Sequence, residues 1–410
     1  MRRYLPIWLL VPLTGFLLHS HAQTPMAAPK ARTADKLPEA AQPIFFSGFR
    51  AMEWLKLTNK PDGRFVYGFQ PSLRVPLDGD NFPSQAGATF ALARASRYYR
   101  DGRGAAISRQ AALTLIGLET MVDPQDATLR YTAAPPTAVE RLSSNGYLIS
   151  AIHELPDADK SKDLLDQAEQ LCTYLRQQQQ SDGMLFVKSA GTTIKSGSPE
   201  LDADRAGVAL QGIIRSNKHR PAPWKLEMLR KARTAYFAAW KDKKSVALVC
   251  SHTPAYAEAF AQTKDKDTSF ADAVFAMNDW LIELQYHEEP GSPRRHWNGG
   301  FRRYRDGVVE QSAPEISSSW CAESLAEACR VAKLSADLPR YERYERALMA
   351  NLHFLMSLQY TGAKTQHFVE KFRPSILGAF HASHQDGNIR IDYTQHSLSA
   401  MVQYLDAVVE

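Results

Sequence analysis

The chain of 410 residues has only four cysteines, at positions 172, 250, 321 and 329, and no Cys-x-x-Cys pair. That excludes a disulfide framework and a cysteine-rich zinc module, both of which need denser and more regular thiols. Cys321 and Cys329 fall on one expected helix, a rise of about 12 Å apart, so they cannot bridge each other. Buried free thiols are the simpler reading. After the first twenty or so residues no run is apolar enough to cross a bilayer. A dominant charge is missing as well. The formal net charge is +5, falls to +3 without Arg2 and Arg3, and is spread along the chain. A nucleic-acid binder needs a concentrated basic face, and none is legible here.

What is present begins with an export signal. Arg2 and Arg3 form a basic start, Ile7 to Leu18 an apolar stretch, and Ser20-His21-Ala22 a small-residue cleavage site, so the mature chain is expected from Gln23. No cysteine follows the apolar stretch, which argues against a lipoprotein; an uncleaved anchor is the alternative. Residues 23–41, rich in Ala, Pro and Lys, read as a disordered linker, and 42–410 as one domain. A secreted or periplasmic monomer is expected.

Helical periodicity dominates the rest. Leu164, Leu165, Ala168, Leu171, Cys172 and Leu175 share one helix face, as do Tyr341, Tyr344, Leu348, Leu352, Leu355 and Met356. Other helices are rich in small residues, such as Gln85 to Arg100 with Gly87, Ala88, Ala91, Ala93 and Ala95, and so can pack closely on several sides. The two kinds alternate. Small-residue helices are expected near 84–100, 141–154, 203–216, 255–263, 317–333 and 393–408, and longer amphipathic ones near 43–58, 104–122, 160–179, 223–240, 268–286 and 338–359. The alternation recurs with a period of roughly 50–60 residues, a repeat signature. Several amphipathic helices are followed by a glycine turn and then an aromatic or apolar residue: Asp62-Gly63-Arg64-Phe65, Asp182-Gly183-Met184-Leu185-Phe186, Asn298-Gly299-Gly300-Phe301 and Asp386-Gly387.

The first helix is of the amphipathic kind and the last of the small-residue kind, so each lacks a partner in sequence. Pairing them closes six hairpins into a ring with no exposed end. The expected fold is therefore an all-α (α/α)6 toroid; an open solenoid would need polar capping repeats that are absent. With this pattern, and with Gln85-Ala86-Gly87-Ala88-Thr89 and Trp320-Cys321-Ala322-Glu323-Ser324-Leu325, the chain resembles the six-hairpin toroid superfamily. That superfamily holds glycoside hydrolases, uronate lyases and epimerases, and terpenoid cyclase-like proteins. The cyclase branch would need a DxDD-type acidic motif, and Asp202-Ala203-Asp204 falls short of it. A shared fold implies no single chemistry.

In such a ring the site is expected at the mouth formed by the N-termini of the inner helices, where backbone N–H groups are unpaired. Residues placed there are Asp78, Asp80 and Gln85; Glu140, Arg141 and Asn145; Asp202, Asp204 and Arg205; His252, Tyr256 and Glu258; Glu315 and Glu323; and Arg390, Asp392, Tyr393, Gln395 and His396. Carboxylates, amides, Arg and aromatics suit a polysaccharide or oligosaccharide substrate. The opposing reading is ordinary helix capping, which fits Asp202 and Asp204 well.

Hydrolysis would use two carboxylates, Asp204 and Asp392, with Glu258 or Glu315 as substitutes. Lyase or epimerase chemistry would use Tyr393 or His396 as base, with Arg390 or Arg205 neutralising the substrate carboxylate. Neither needs a cofactor. The catalytic candidates are thus Asp204, Asp392, Tyr393 and His396, and the substrate-binding ones Asp80, Gln85, Asn145, Arg205, Glu258, Glu315, Arg390 and Gln395. Two loops, 287–316 and 361–391, are long enough to cover a site. Their histidines, His381 and His384 above all, read as solvated or hydrogen-bonded rather than as metal ligands. A non-catalytic glycan-binding or scaffold protein of the envelope is the alternative.

Overall fold

Alternation of amphipathic and small-residue helices becomes two concentric layers in the computed structural model, which describes residues 31–133, 141–187, 199–263, 267–288 and 291–407, the side chains of 199–202 and 407 excepted. The expected signal segment, most of the linker and Glu140 lie outside the described residues. Residues 31–41, expected as part of a disordered linker, are folded. They form two short 3₁₀ turns, bury Ala34 and Ala41, and lay Arg32 over the Tyr98 ring at 4.2 Å.

The long helices are α1 (Gln42–Thr58), α2 (Phe82–Tyr99), α3 (Gly102–Leu118), α4 (Arg141–Glu154), α5 (Lys162–Gln177), α6 (Pro199–Ser216), α7 (Pro223–Asp242), α8 (Val246–Thr263), α9 (Ser269–Glu283), α10 (Ser318–Leu334) and α11 (Leu338–Ser357); a single turn, α12 (Gly362–Thr365), precedes the last, α13 (Ile391–Ala407). Each even-numbered helix from α2 to α10 packs on the next, α10 packs on α13, and α13 returns to α2. Six inner helices thus close a ring, and the chain is an (α/α)6 toroid. The first helix packs on the last, as expected from the unpaired ends.

Inner helices are buried nearly all round: in α2 only Pro83 and Arg97 reach solvent. Close approach needs missing side chains. A Cβ at Gly212 would lie 2.7 Å from the Gly146 carbonyl oxygen, so α4 and α6 pack backbone to backbone there. Outer helices bury one stripe, as in α5 with Leu164, Leu165, Ala168, Leu171, Cys172, Tyr174 and Leu175. The four cysteines are buried and free.

One helix departs from expectation. α8 begins at Val246, not near 255, and runs through Pro254. A mid-helix proline forfeits a hydrogen bond and costs about 3 kcal/mol, and dense packing between α6 and α10 offsets it. The consequence is positional: His252 and Tyr256 lie mid-helix and Glu258 towards its C-terminal end.

The glycine-turn phrase is a repeated structural device. Each outer helix that carries it is followed by an amide residue whose side chain donates to the turn-glycine carbonyl: Asn59 to Gly63 (3.0 Å), Gln179 to Gly183 (3.0 Å), Gln285 to Gly299 (3.0 Å) and Gln359 to Gly378 (2.9 Å). The same amide forms a backbone bridge to Phe65, Leu185, Phe301 or Phe380 respectively. The glycines have φ between +84° and +96° and lie against the next outer helix, where a Cβ at Gly183 would be 2.6 Å from the Lys231 carbonyl oxygen. The fourth copy is Gly378, not the expected Asp386-Gly387. It abuts Arg50 of α1, and Gln359 also donates to the Ser47 carbonyl at 3.0 Å, so this copy fastens the seam of the ring.

A small antiparallel sheet completes the seam. β1 (Gly68–Gln70) pairs with β2 (Val75–Pro76) and with a later strand, Ile389–Arg390, with Gly68 opposite Arg390. Two hairpins, Thr120–Val122 with Arg130–Thr132 and Arg303–Arg305 with Val308–Glu310, decorate the same end.

Candidate functional site

The seam sheet decides where the last loop points. Pairing of Arg390 with Gly68 puts its guanidinium beside Tyr67 and Tyr393, with ring centroids at 5.2 and 4.8 Å. Asp392, in the first turn of α13, grips it through two bonds of 2.9 and 2.5 Å. The carboxylate holds the guanidinium above its ordinary pKa against the opposing effect of burial, the larger single influence. Burial raises the Tyr393 phenol, with Arg390 opposing and Asp392, Asp386 and Glu315 adding to the rise. Tyr393 is therefore a protonated phenol, able to donate a hydrogen bond, at neutral pH.

One turn further along α13, His396 Nδ1 lies 2.6 Å from Glu323 Oε2 of α10. Burial works against the imidazolium, yet Glu323, and more weakly Asp392, raise the His396 pKa above 6.5. The Trp320 ring, three residues before Glu323 on the same helix, stands 5.9 Å from the imidazole. The pair joins two adjacent inner helices, and both side chains keep partial access to solvent, 20% and 11%. A histidine oriented by a carboxylate beside an aromatic face is suited to proton transfer.

The remaining expected residues divide. Asp204 is half-buried on α6, which faces α13 across the ring, and it lines a separate groove of about 370 Å³ beneath Tyr304 and Arg305. Asp392 is committed to Arg390, so the two do not present a pair of unengaged carboxylates. Asp80 pairs with Arg64 at 2.6 Å and accepts from Gln85 at 2.8 Å. Gln85 also bonds both backbone groups of Phe65, at 2.8 and 2.9 Å, which makes it a clamp for the first glycine turn. Gln395 is buried and fills the space above Gly87. Arg205 is half-buried, and Glu315 is ion-paired with Arg303 at the rim. Asn145 is fully buried with neither amide atom hydrogen-bonded, the kind of group that water or a polar ligand satisfies.

Glu258 is a correction. The early start of α8 carries it to the opposite mouth, where Lys218 (2.8 Å) and Arg330 (3.5 Å) hold its pKa down to about 2 against burial. His252 and Tyr256 are core, the former tilted against the Tyr236 ring with centroids 4.6 Å apart. His381 Nδ1 meets the Ser383 carbonyl at 2.7 Å and His384 Nε2 the Ser357 hydroxyl at 3.0 Å. Among the described residues no group of three or more His, Cys, Asp or Glu is placed to hold a metal ion.

Sequence reasoning missed Tyr67 and Trp320. Tyr67 gave no signal, since only strand pairing across the seam brings it to Arg390. Trp320 stood in the quoted phrase, and its i, i+3 relation to Glu323 was the available clue.

No family model matches the chain, and no curated protein matches it in sequence. Solved structures do resemble it in fold. A sugar epimerase from a ruminal bacterium superposes with a TM-score of 0.63 at 8% identity, covering 89% of this chain and 99% of its own. Cellobiose 2-epimerase from Bacillus thermoamylovorans B4167 gives 0.60 at 11%, covering 85% and 95%. An unsaturated glucuronyl hydrolase specific for heparin gives 0.60 at 12%, covering 89% and 97%. At such identities the likeness establishes the toroid alone.

Proposed function

We propose that this chain is an exported, carbohydrate-active enzyme that transfers a proton at carbon, an epimerase or isomerase of a sugar with a reducing end. The observation that carries the reading is the His396–Glu323 pair beside Trp320 at the inner-helix mouth. Glycoside hydrolysis needs two carboxylates with divergent protonation and room between them. Here one carboxylate is bound to an arginine and the other to a histidine. Proton abstraction needs a base near neutrality and a group that stabilises the enediolate oxygen. His396 fits the first role, and Arg390 with the Tyr393 hydroxyl fits the second. In this scheme His396 removes the proton from the carbon next to the carbonyl, leaving an enediolate. A proton delivered to the other face by water gives the epimer; return of the His396 proton to the neighbouring carbon, with the O2 hydroxyl proton passing to O1, gives the ketose. Two of the fold neighbours named above are sugar epimerases, which agrees with this reading. Export rests on the basic and apolar residues at the start of the chain.

The test is proton exchange in D₂O. Mannose, glucose, cellobiose and glucuronate are incubated with purified protein, and the signal of the hydrogen at C2 is followed by NMR. Wild type should exchange deuterium into at least one of them, and His396→Ala should abolish exchange with an unchanged circular dichroism spectrum. Release of new reducing ends from glycans without exchange would replace this reading with hydrolysis. Saturable binding without turnover would replace it with a receptor.

A further inference from the structure

The C-terminal ends of the inner helices converge on a second cavity, of about 220 Å³, at the end of the ring away from His396. Three guanidiniums share one carboxylate there. Glu154 Oε2 is 2.5 Å from Arg215 and 3.9 Å from Arg94, and Glu154 Oε1 is 2.6 Å from Arg97. The other carboxylates are occupied: Glu258 by Lys218 and Arg330, Glu327 by Arg330 and Gln403, and Asp406 stands 4.0 Å from Arg97. The lining therefore holds five cationic and four anionic side chains, with the excess on the side of Glu154.

Arg94 is 4% exposed, yet its Nη1 has no hydrogen-bond partner, and neither has Arg215 Nε. Both guanidiniums press on the Phe90 ring, at 4.6 and 4.9 Å. Burial and Arg215 lower the Arg94 pKa to about 10, a sign of incomplete compensation. Helix C-termini favour cations, but that influence fades within the last turn. No terminal carbonyl accepts from Arg94 Nη1. Glu154 Oε1, 2.6 Å from Arg97, has no aligned hydrogen bond, and two neutral acceptors on the lining residues are also unmatched. His153 Nδ1 donates to the Ile149 carbonyl at 2.7 Å, and burial keeps the ring neutral with a pKa of about 3, so its Nε2 is a bare acceptor. Gln403 Oε1 is the other. Unmatched buried groups of this kind mark a place for a bound partner.

We infer that this cavity binds a small oxyanion that also carries a hydroxyl, with Arg94, Arg97 and Arg215 receiving the charge and His153 and Gln403 accepting from the hydroxyl. Hydrogen phosphate and a hydroxycarboxylate share this chemistry. The site is separate from the His396 mouth, so its ligand is a second ligand and not the sugar undergoing reaction.

The experiment measures thermal unfolding of the intact protein at constant ionic strength against inorganic phosphate, glycerate, sulfate and acetate. Phosphate or glycerate should raise the melting temperature saturably, and the hydroxyl-free sulfate and acetate less. The surface-exposed Arg97 serves as the variant, because Arg97→Gln removes a charge without opening the core. It should weaken binding by about tenfold or more, the worth of a charge-assisted bond. Arg94→Met gives an independent sign. Without added anion it should melt no lower than wild type, since a partly uncompensated buried charge is removed, and it should lose the phosphate response. Three outcomes overturn the inference: no saturable response to either hydroxylated anion, an equal response to sulfate, or an unchanged response in Arg97→Gln. A fall in the melting temperature of anion-free Arg94→Met would equally overturn it, by showing the charge already compensated.

Discussion

Replacing Glu323 by Gln keeps the shape of the His396 pair and removes its charge. In the wild type Glu323 raises the His396 pKa above 6.5, against burial that alone would lower it. With the carboxylate gone only the more distant Asp392 opposes burial, so the His396 pKa should fall below its ordinary value. A hydrogen bond between charged partners is worth about 1.5–3 kcal/mol net, and side chains only 20% and 11% exposed are little screened. The sign with pH follows from linkage. A histidine whose folded pKa is raised contributes stability that is fully present below about 6.5 and is lost as pH rises through the folded value. The stability gap between wild type and Glu323→Gln should thus be about 1.5–3 kcal/mol at pH 5.5 and much smaller at pH 9. Guanidinium unfolding at the two pH values measures the gap, and NMR titration of the His396 ring reads the pKa directly. A gap that is equal at both pH values, or a His396 pKa that does not fall, would refute the pairing as described.

Other expectations come from the seam and the core. Gly378→Ala places a Cβ against the Arg50 carbonyl at φ +96° and should cost about 2 kcal/mol or more, whereas Gly387→Ala meets only the Tyr360 hydroxyl and should cost less; paired urea melts compare them. His252 is buried and neutral with a pKa lowered to about 3, so stability should fall as pH drops from about 6.5 towards 3. Its share is about 1.4 kcal/mol per pH unit, and His252→Gln should flatten the acid limb of the stability curve. The thiols, all buried, with Cys172 pushed up to about 12, should resist iodoacetamide at pH 7 in the native state and react on unfolding, as followed by mass spectrometry. Asp392→Asn leaves the Arg390 guanidinium without its anion; it should lower deuterium exchange at C2 while leaving far-UV dichroism unchanged.

The architecture was legible in the sequence because burial geometry writes itself into periodicity. A helix buried on one stripe repeats apolar residues at 3.6, as α5 does, and one buried all round must be small, as α2 is. The order of the two kinds, with an amphipathic helix first and a small-residue helix last, already favoured a closed ring over an open solenoid. The glycine turns were legible too, since positive φ narrows the choice of residue, although the fourth was placed at Gly387 instead of Gly378. There the neighbouring residue is Leu377 rather than Asp or Asn, so the local phrase is weak, and what fixes the glycine is the Arg50 carbonyl of a helix more than 300 residues away.

The candidate site was legible only in part. Arg390, Asp392, Tyr393 and His396 were recognisable as a polar cluster at a helix start, but their roles were not. Asp392 is an arginine's partner and Tyr393 a donor, and the partner of His396 is Glu323 of a different helix. Glu258 fails because α8 starts at Val246 and runs through Pro254, so the carboxylate lies towards the C-terminal end of its helix and not at its start. By itself the sequence determined which faces are apolar, how many hairpins close and where the chain turns, because these depend on neighbours along the chain. Which side chains meet across the ring, which charges are spent on partners and which remain unmatched were decided by tertiary structure alone. Those facts depend on distances between helices that no spacing in sequence encodes.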